Sequence, residues 1–418
     1  MNTNSTAYKY IQSRKPLGRG TFCSIAVCYA IDDGVSGQNA FALKSEVSEF
    51  HNSGIMDGEA RCLEYLSRVL KDRVPKFIDY LPMKDVYEPE KPHVFVDRVC
   101  NAPSNDTANV SSVSGKTMGL VMELLDGEDM HELVHRSWRE RENVASDADK
   151  NSSSNGQSKR IDPREALQLT EMVLESLKSI HNAGMVHRDV KPSNFVRVST
   201  DANNKDFKVV DFGLTKSFVV PVDATDAALD KEWKGTSLFD VMDGAKSEKI
   251  ITHYRKPRER GKAEFRGSSM YASPNIHNLE EYSPRDDIFS CLFIFLDLVA
   301  GGLPWASAAS QRKRDECGRI KEKCMDDPIR FFEGDIANTY GEKIKHLVSA
   351  LSDVVTHLRE LSYYDLPDYE MIYKRLDRIV DLLEDSTRTF NCSLQWKSPR
   401  LPHRSMEKDI VYQVGFAF

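Results

Sequence analysis

The octapeptide His187-Arg188-Asp189-Val190-Lys191-Pro192-Ser193-Asn194 constrains this chain more than any other stretch, because Asp211-Phe212-Gly213 follows it directly after a strand-like ending, Val209-Val210. One such triplet arises by chance; an ordered set does not, and two more signals stand upstream. Gly18-Arg19-Gly20-Thr21-Phe22 lies in the segment Tyr8 to Leu43, whose short alternating runs around glycines read as strands and turns. Glycines in a strand–turn–strand let backbone N–H groups approach phosphate oxygens closely, although by itself this pair reads as a hairpin turn. The apolar run Phe41-Ala42-Leu43 ends in Lys44, which alone reads as a lysine snorkelling from a buried strand. Glu59 falls on a helix expected over Gly58 to Leu70, with Ala60, Leu63, Leu66 and Leu70 on one face, and is a candidate partner for Lys44.

Composition enters as a set of exclusions. In 418 residues, 40% hydrophobic and 29% charged side chains rule out collagen, coiled-coil and wholly disordered classes. The net charge of −7 argues against dedicated nucleic-acid binding. Eight cysteines form no C-x-x-C pair and no zinc-finger spacing, and scattered thiols fit a reducing compartment. The start MNTNSTAYKY lacks the apolar core of a secretory signal. The most apolar run, Cys291 to Val299, is far shorter than the ~20 residues of a membrane span. No membrane partner, a monomer, and a cytoplasmic and/or nuclear location are expected.

Periodicity organises the chain. Asn101 to Lys116, Glu142 to Lys159, Val219 to about Lys262 and the tail from about Ser386 lose any sustained apolar face. Such compositions do not offset ordering entropy, so insertions are expected over about 84–116, 141–160 and 218–262. Asp162, Pro163 and Glu165 read as cap, first residue and capping-box partner of a long helix. Its stripe is Ala166, Leu169, Val173, Leu177 and Ile180, and Gly184 stops it. From Asp287 onward, Ile288, Phe289, Leu292, Phe293, Leu296 and Val299 are too apolar for a surface helix. A small β-rich half thus precedes a larger helical half.

The ordered set resembles the protein kinases. HRDVKPSNF, VDFGLTKSF, FRGSSMYASPN, YSPRDDIFS and GGLPW look like the casein kinase 1 superfamily, and FRGSSMYASPNIH is most similar to its tau-tubulin kinases. The activation segment closes on Ser273-Pro274-Asn275, the S-x-N form of that branch, in place of Ala-Pro-Glu, and LSYYDLPDYEMI resembles its late-lobe signature. The resemblance covers about Tyr10 to Leu383. It implies an α+β, bilobal protein kinase fold: a small β-rich N-lobe over about 10–124, a larger mainly helical C-lobe over about 125–385, and a tail over 386–418. With the insertions removed, the length is about that of one catalytic unit. It further implies a serine/threonine protein kinase with ATP and Mg2+ as cofactors and proteins as substrates.

Phosphoryl transfer asks a protein mainly for positioning and charge stabilisation. On the resemblance, Asp189 accepts the proton of the incoming hydroxyl and Lys191 reaches the transferring phosphoryl group as a point charge. Lys44 holds the α- and β-phosphates and Glu59 fixes Lys44. Asn194 and Asp211 hold Mg2+ through hard oxygens. Leu17, Gly18, Gly20, Ile25 and Ala42 are carried over as ATP-binding residues, with Met122 as gatekeeper and Glu123 to Leu125 as hinge. Asp287 matches the buried aspartate that supports the catalytic loop, and His187 is a packing and hydrogen-bonding residue.

Three departures stand out. Cys23 replaces the third glycine of the loop; Met270 stands where the branch has an arginine of an anion pocket; and the activation segment carries a long insertion. Residues 254–266 nevertheless hold Arg255, Lys256, Arg258, Arg260, Lys262 and Arg266 against Glu259 and Glu264. Arginine forks suit phosphate and carboxylate, so Arg255, Arg258, Lys262 and Arg266 are candidates for reading acidic or phospho-primed substrates. A second basic run, Gln311 to Lys323, reads as a solvated helix surface. The alternative function is a pseudokinase-like scaffold that binds nucleotide and recruits partners.

Overall fold

The computed structural model describes residues 8–19, 23–31, 40–46, 54–87, 117–148, 160–218, 220–222, 253–255, 261–332, 344–384 and 393–396. The chain divides into two units after Gly127.

In the first unit the alternating segments become β1 (Tyr10–Arg19), β2 (Cys23–Ala30), β3 (Ala40–Glu46), β4 (Phe77–Pro82), β5 (Val86–Tyr87) and β6 (Met118–Glu123). They form one sheet in the order β4-β6-β3-β2-β1-β5. Side chains alternate between the faces. Tyr10, Cys28, Leu43, Leu81, Val86 and Val121 make a buried cluster on one of them. The helix α1 (Ile55–Val69) begins earlier than its stripe implied, at Gly54 with φ 68°. Residues 84–87, expected inside an insertion, are regular instead: Lys84 and Asp85 end a 3-10 turn (Met83–Asp85), and β5 joins the sheet, pairing parallel with β1 through Tyr10 and Val86. Two residues are too few to display a period, so the sequence carries no signal for this edge strand.

In the second unit, α2 (Met130–Ala148) runs well into the expected 141–160 loop. Arg139 to Glu142 are good helix formers, and propensity carries the helix beyond its apolar face. The helix α3 (Pro163–Asn182) starts as expected, Asp162 accepting hydrogen bonds from the N–H groups of Arg164 (3.0 Å) and Glu165 (3.4 Å). Three short antiparallel pairs involve β7 (Met185–Val186), β8 (Phe195–Arg197), β9 (Phe207–Val209), β10 (Lys216–Ser217), β11 (Val220–Val222) and β12 (His253–Arg255). β11 pairs with β12, so the two ends of the 218–262 stretch are zipped together; residues 223–252 lie outside the described set. There follow α4 (Pro274–His277), α5 (Pro284–Ala300), α6 (Ala306–Ser310), α7 (Arg314–Asp326), α8 (Ile344–Glu360) and α9 (Tyr369–Glu384). As its composition required, α5 is buried almost throughout and packs on α3.

The tail holds a surprise. Leu394 and Trp396 are buried. Leu394 N–H donates to Glu165 Oε2 at 2.6 Å, and Gln395 N–H donates to Ser137 Oγ at 2.9 Å. Arg136 and Arg197 donate to the carbonyls of Gln395 and Trp396. Trp396 lies edge-on to Phe207 and under the cations of Arg197 and Lys205. Glu165 therefore serves the tail through both oxygens, Trp396 Nε1 reaching Oε1 at 3.4 Å. A capping-box glutamate and a tail receptor look alike in sequence.

Candidate active site

The octapeptide is held open by one carboxylate. Asp287, fully buried near the start of α5, accepts from His187 N–H at 2.7 Å and Arg188 N–H at 2.9 Å, while His181 Nε2 lies 3.0 Å away. Burial alone would raise the Asp287 pKa; the hydrogen bond and charge of His181, the charge of His187 and the His187 N–H outweigh it and hold it below the usual range. Arg188 has φ 70°, a sparsely populated conformation for any residue that carries a Cβ. The two N–H bonds to Asp287 and the bond from Arg188 Nε to Leu214 O, 2.7 Å, maintain it. His187 is fully buried, edge-on to Phe212, with Nε2 3.3 Å from Val210 O, which is the packing role expected for it.

Around this frame the polar set converges. Asp189 Oδ2 meets Lys191 Nζ at 2.6 Å, and Asp189 Oδ1 accepts from Ser268 N–H at 2.9 Å. Both oxygens are thus oriented, one by the octapeptide itself and one by a segment nearly eighty residues on. Asn194 sits in a 3-10 turn (Pro192–Asn194) and donates its amide to Asp189 O at 2.9 Å, so its oxygen is the end left for ligation. Asn194 O also accepts from Val210 N–H at 2.9 Å, tying the turn to the residue before Asp211, whose φ is 66°. Asn194 and Asp211 offer a carboxamide oxygen and a carboxylate, a donor set that fits a hard divalent cation.

Gly267 closes the arrangement. It has φ +88°, and a Cβ there would lie 2.5 Å from Arg188 O. Only glycine lets the activation segment pass this close and deliver the next amide, Ser268, to Asp189.

In the first unit, Lys44 Nζ pairs with Glu59 Oε1 at 2.7 Å, both side chains over nine-tenths buried. Lys44 stands opposite Ile25 on β2, Ala42 opposite Val27 and Met122, and Gly18 opposite Ile25. Directly opposed residues in antiparallel strands share a face, so Gly18, Ile25, Ala42, Lys44 and Met122 lie on the face away from the Leu43 cluster. Leu17 is exposed and Leu125 buried. Glu123 Oε2 accepts from Lys76 N–H at 2.9 Å. Gly20 lies outside the described residues, and Cys23, at the start of β2, is half-buried.

Residues 11–240 match the profile of the protein kinase domain, more than half of the chain. The chain belongs to the protein kinase domain family. Among curated relatives, a Dictyostelium discoideum protein named probable serine/threonine-protein kinase is 27% identical over 211 residues, 50% of this chain and 33% of its own length. Serine/threonine-protein kinase spe-6 of Caenorhabditis elegans is 27% identical over 209 residues, 50% of this chain and 44% of its own length. The matches thus span a third to under half of these relatives. The fold is the bilobal α+β protein kinase fold, and the family uses ATP with a divalent metal ion.

This kinase-domain chain divides the anion candidates. Lys262 and Arg266 line a cavity of about 480 Å³ with Arg188, faced by Glu264, Glu280 and Glu281. Arg266 pairs with Glu264 at 2.8 Å. Burial lowers the pKa of Arg188 and the charge of Arg266 lowers it further, while Tyr282, Asp287 and Glu281 act the other way. Arg255 places its backbone in β12, and Arg258 lies outside the described residues. Ser273 Oγ and Asn275 Nδ2 both donate to buried Asp286, at 2.6 and 3.0 Å, so the S-x-N motif fastens the end of the activation segment to the start of α5.

The second basic run forms α7 and the turn before it, and residues 311–316, 319 and 323 are the exposed surface expected. Lys321 is the exception: it is completely buried, as are Cys317 and Cys324. A lysine amid other charges carries no burial signal in sequence; the cysteines one turn either side were the available clue. Among the described residues, no helix is long and apolar enough to cross a membrane.

Proposed function

We propose that this chain is a serine/threonine protein kinase of the casein kinase 1 type, close to the tau-tubulin kinases, transferring the γ-phosphate of ATP to Ser or Thr hydroxyls of proteins. The observation that carries the reading is the geometry of Asp189, oriented through both carboxylate oxygens beside Lys191 and Asn194. Asp189 takes the hydroxyl proton, Lys191 meets the transferring group, and Lys44, fixed by Glu59, holds phosphates. Asn194 and Asp211 would hold the divalent ion, Mg2+ in this reading, which supplies charge neutralisation on the phosphate oxygens. The names of the two relatives agree with Ser/Thr specificity.

A preference for acidic or primed substrates is part of the proposal. Its support is the cavity of Arg188, Lys262 and Arg266. A second support is an open cavity of about 970 Å³ beside Met270, bordered by Arg312, Lys313, Arg314 and Arg319 and by Asp315 and Glu316. Two of these cations are paired, Lys313 with Glu316 at 3.6 Å and Arg314 with Asp315 at 3.8 Å, which leaves a net basic border around an uncharged Met270. The kinase domain is assigned to residues 10–385, and a cytoplasmic and/or nuclear location is proposed with it.

Asp189→Ala lowers the rate of phosphate transfer to casein by about 10²–10⁴-fold, the usual loss on removing a general base. Wild-type turnover in that variant would sink the assignment. Absence of transfer by the wild type, with intact nucleotide binding, would favour the scaffold alternative. A peptide array of acidic, phosphorylated and basic flanks reads the preference; indifference to acidic flanks would remove it.

A further inference from the structure

The end of the activation segment is held by side chains rather than by a ladder. Ser269 O accepts from Lys321 Nζ at 2.7 Å and from Cys317 Sγ at 3.2 Å. Met270 O accepts from Trp305 Nε1 at 2.7 Å, and Tyr271 O from Ser290 Oγ at 2.8 Å. Ala272 O accepts from Lys321 Nζ at 2.6 Å. Four consecutive carbonyls are therefore taken, and Lys321 alone takes the first and the last. Its ammonium also lies 3.3 Å from His277 Nε2 and over the rings of Phe293 and Trp305, at 5.2 and 5.0 Å. The residue immediately before this run is Ser268, whose N–H orients Asp189.

We propose that Lys321 is a positioning residue for phosphoryl transfer: by clamping the Ser269 and Ala272 carbonyls it keeps the Ser268 amide on Asp189 and fixes the substrate-facing end of the activation segment. The proposal rests on the kinase reading for its catalytic consequence, but the clamp itself does not. A buried cation is costly unless its protons are used. Among the described residues no carboxylate pairs with Lys321; two carbonyl acceptors, the His277 ring nitrogen and two aromatic faces surround its ammonium, which is specific and not generic packing. Burial brings Lys321 down to about 7, with Cys317 partly opposing. The groups facing it keep one charge state between pH 6 and 8. Burial and the Lys321 charge drop His277 to about 4, with the Arg314 charge acting in the same direction, and burial raises the Cys317 thiol. Asp297 of α5 meets Tyr271 Oη, not Lys321. Charge-assisted bonds are roughly twice as strong as neutral ones, so the clamp weakens as pH rises through 7.

The test uses the full chain with Lys321→Met, which keeps the methylene packing, and Lys321→Gln, which keeps donors without charge. Amide exchange at Ser268, Tyr271 and Ala272 is read alongside turnover on casein with Mg–ATP. For Lys321→Met, exchange at these amides rises at least about tenfold, and kcat falls on the order of 10²-fold, the effect of a misplacement near 1 Å. The KM for ATP stays at the wild-type value, and Lys321→Gln lies between. A folded Lys321→Met with wild-type exchange at the three amides overturns the proposal, whatever its turnover. If wild type transfers no phosphate, the kinase reading fails while the exchange data still decide the clamp. Should both variants unfold, wild-type protection of the three amides, corrected for intrinsic exchange, is read at pH 6: protection of at least about tenfold supports the clamp and exchange at the intrinsic rate overturns it.

Discussion

Replacing Gly267 by alanine tests the close approach on which the site depends. The new Cβ would sit 2.5 Å from the carbonyl oxygen of Arg188, against the 3.4 Å or more of an ordinary contact, so the two backbones must part by about 0.9 Å. Neither side gives cheaply. Arg188 is pinned by Asp287, and Ser268 is pinned by Asp189 and followed by the clamped carbonyls. Alanine at φ +88° costs roughly 1–2 kcal/mol on its own, and overpacking adds roughly 1–3 kcal/mol. Together these correspond to a fall in Tm of roughly 5–15 °C for a unit of this size. The chemistry suffers more than the stability, since a displacement near 1 Å costs about 10²-fold in rate. Turnover on casein at saturating Mg–ATP, with the ATP KM and a melting curve, separates the two effects. Gly261→Ala is the control, because nothing lies within 4 Å of its Cβ position. A Gly267→Ala protein with kcat within twofold of wild type would refute the claim that this contact sets the geometry of Asp189.

Three other perturbations follow from the same geometry. Glu59→Ala strips the buried Lys44 ammonium of its carboxylate and destabilises by about 3–5 kcal/mol, read by thermal melting; unchanged stability would mean the pair is solvated. Asp287 has a folded pKa below its unfolded one, so the stability it contributes is present above about pH 4 and is lost as pH falls through the folded value. Wild type should therefore lose Tm more steeply than Asp287→Asn between pH 5 and 3; parallel slopes would contradict the direction of the shift. Trp396→Ala should cost toward the low end of the roughly 3–5 kcal/mol of a buried aromatic, and a melting curve superimposable on wild type would show the tail docking to be inconsequential.

What the sequence made legible was local and ordered. The ordered motif around Asp189, Lys191 and Asn194 pointed by resemblance to side chains that do meet, and α3 and α5 were readable because their apolar stripes run many turns. What escaped reading was of two kinds. Elements of two or three residues, such as β5 and the β11–β12 pair, show no period. Long-range partners are invisible where residue type is ambiguous: Glu165 reads as a cap until Leu394 and Trp396 are seen on it, and Lys321 reads as solvated until the carbonyls of Ser269 and Ala272 surround it. Gly267 belongs to the same class, since its necessity lies in a carbonyl far away in sequence.

The docked tail has a consequence for the order of synthesis. Domains fold as units while the chain emerges from its N-terminal end. Yet Arg136, Ser137, Glu165 and Arg197 find their last partners only in residues 393–396. A nascent chain can hold a complete catalytic loop and still lack the strap across α2, α3 and β8. The second unit therefore closes after nearly all of it has left the ribosome, and a chain stalled before Leu394 carries a site whose support is unfinished.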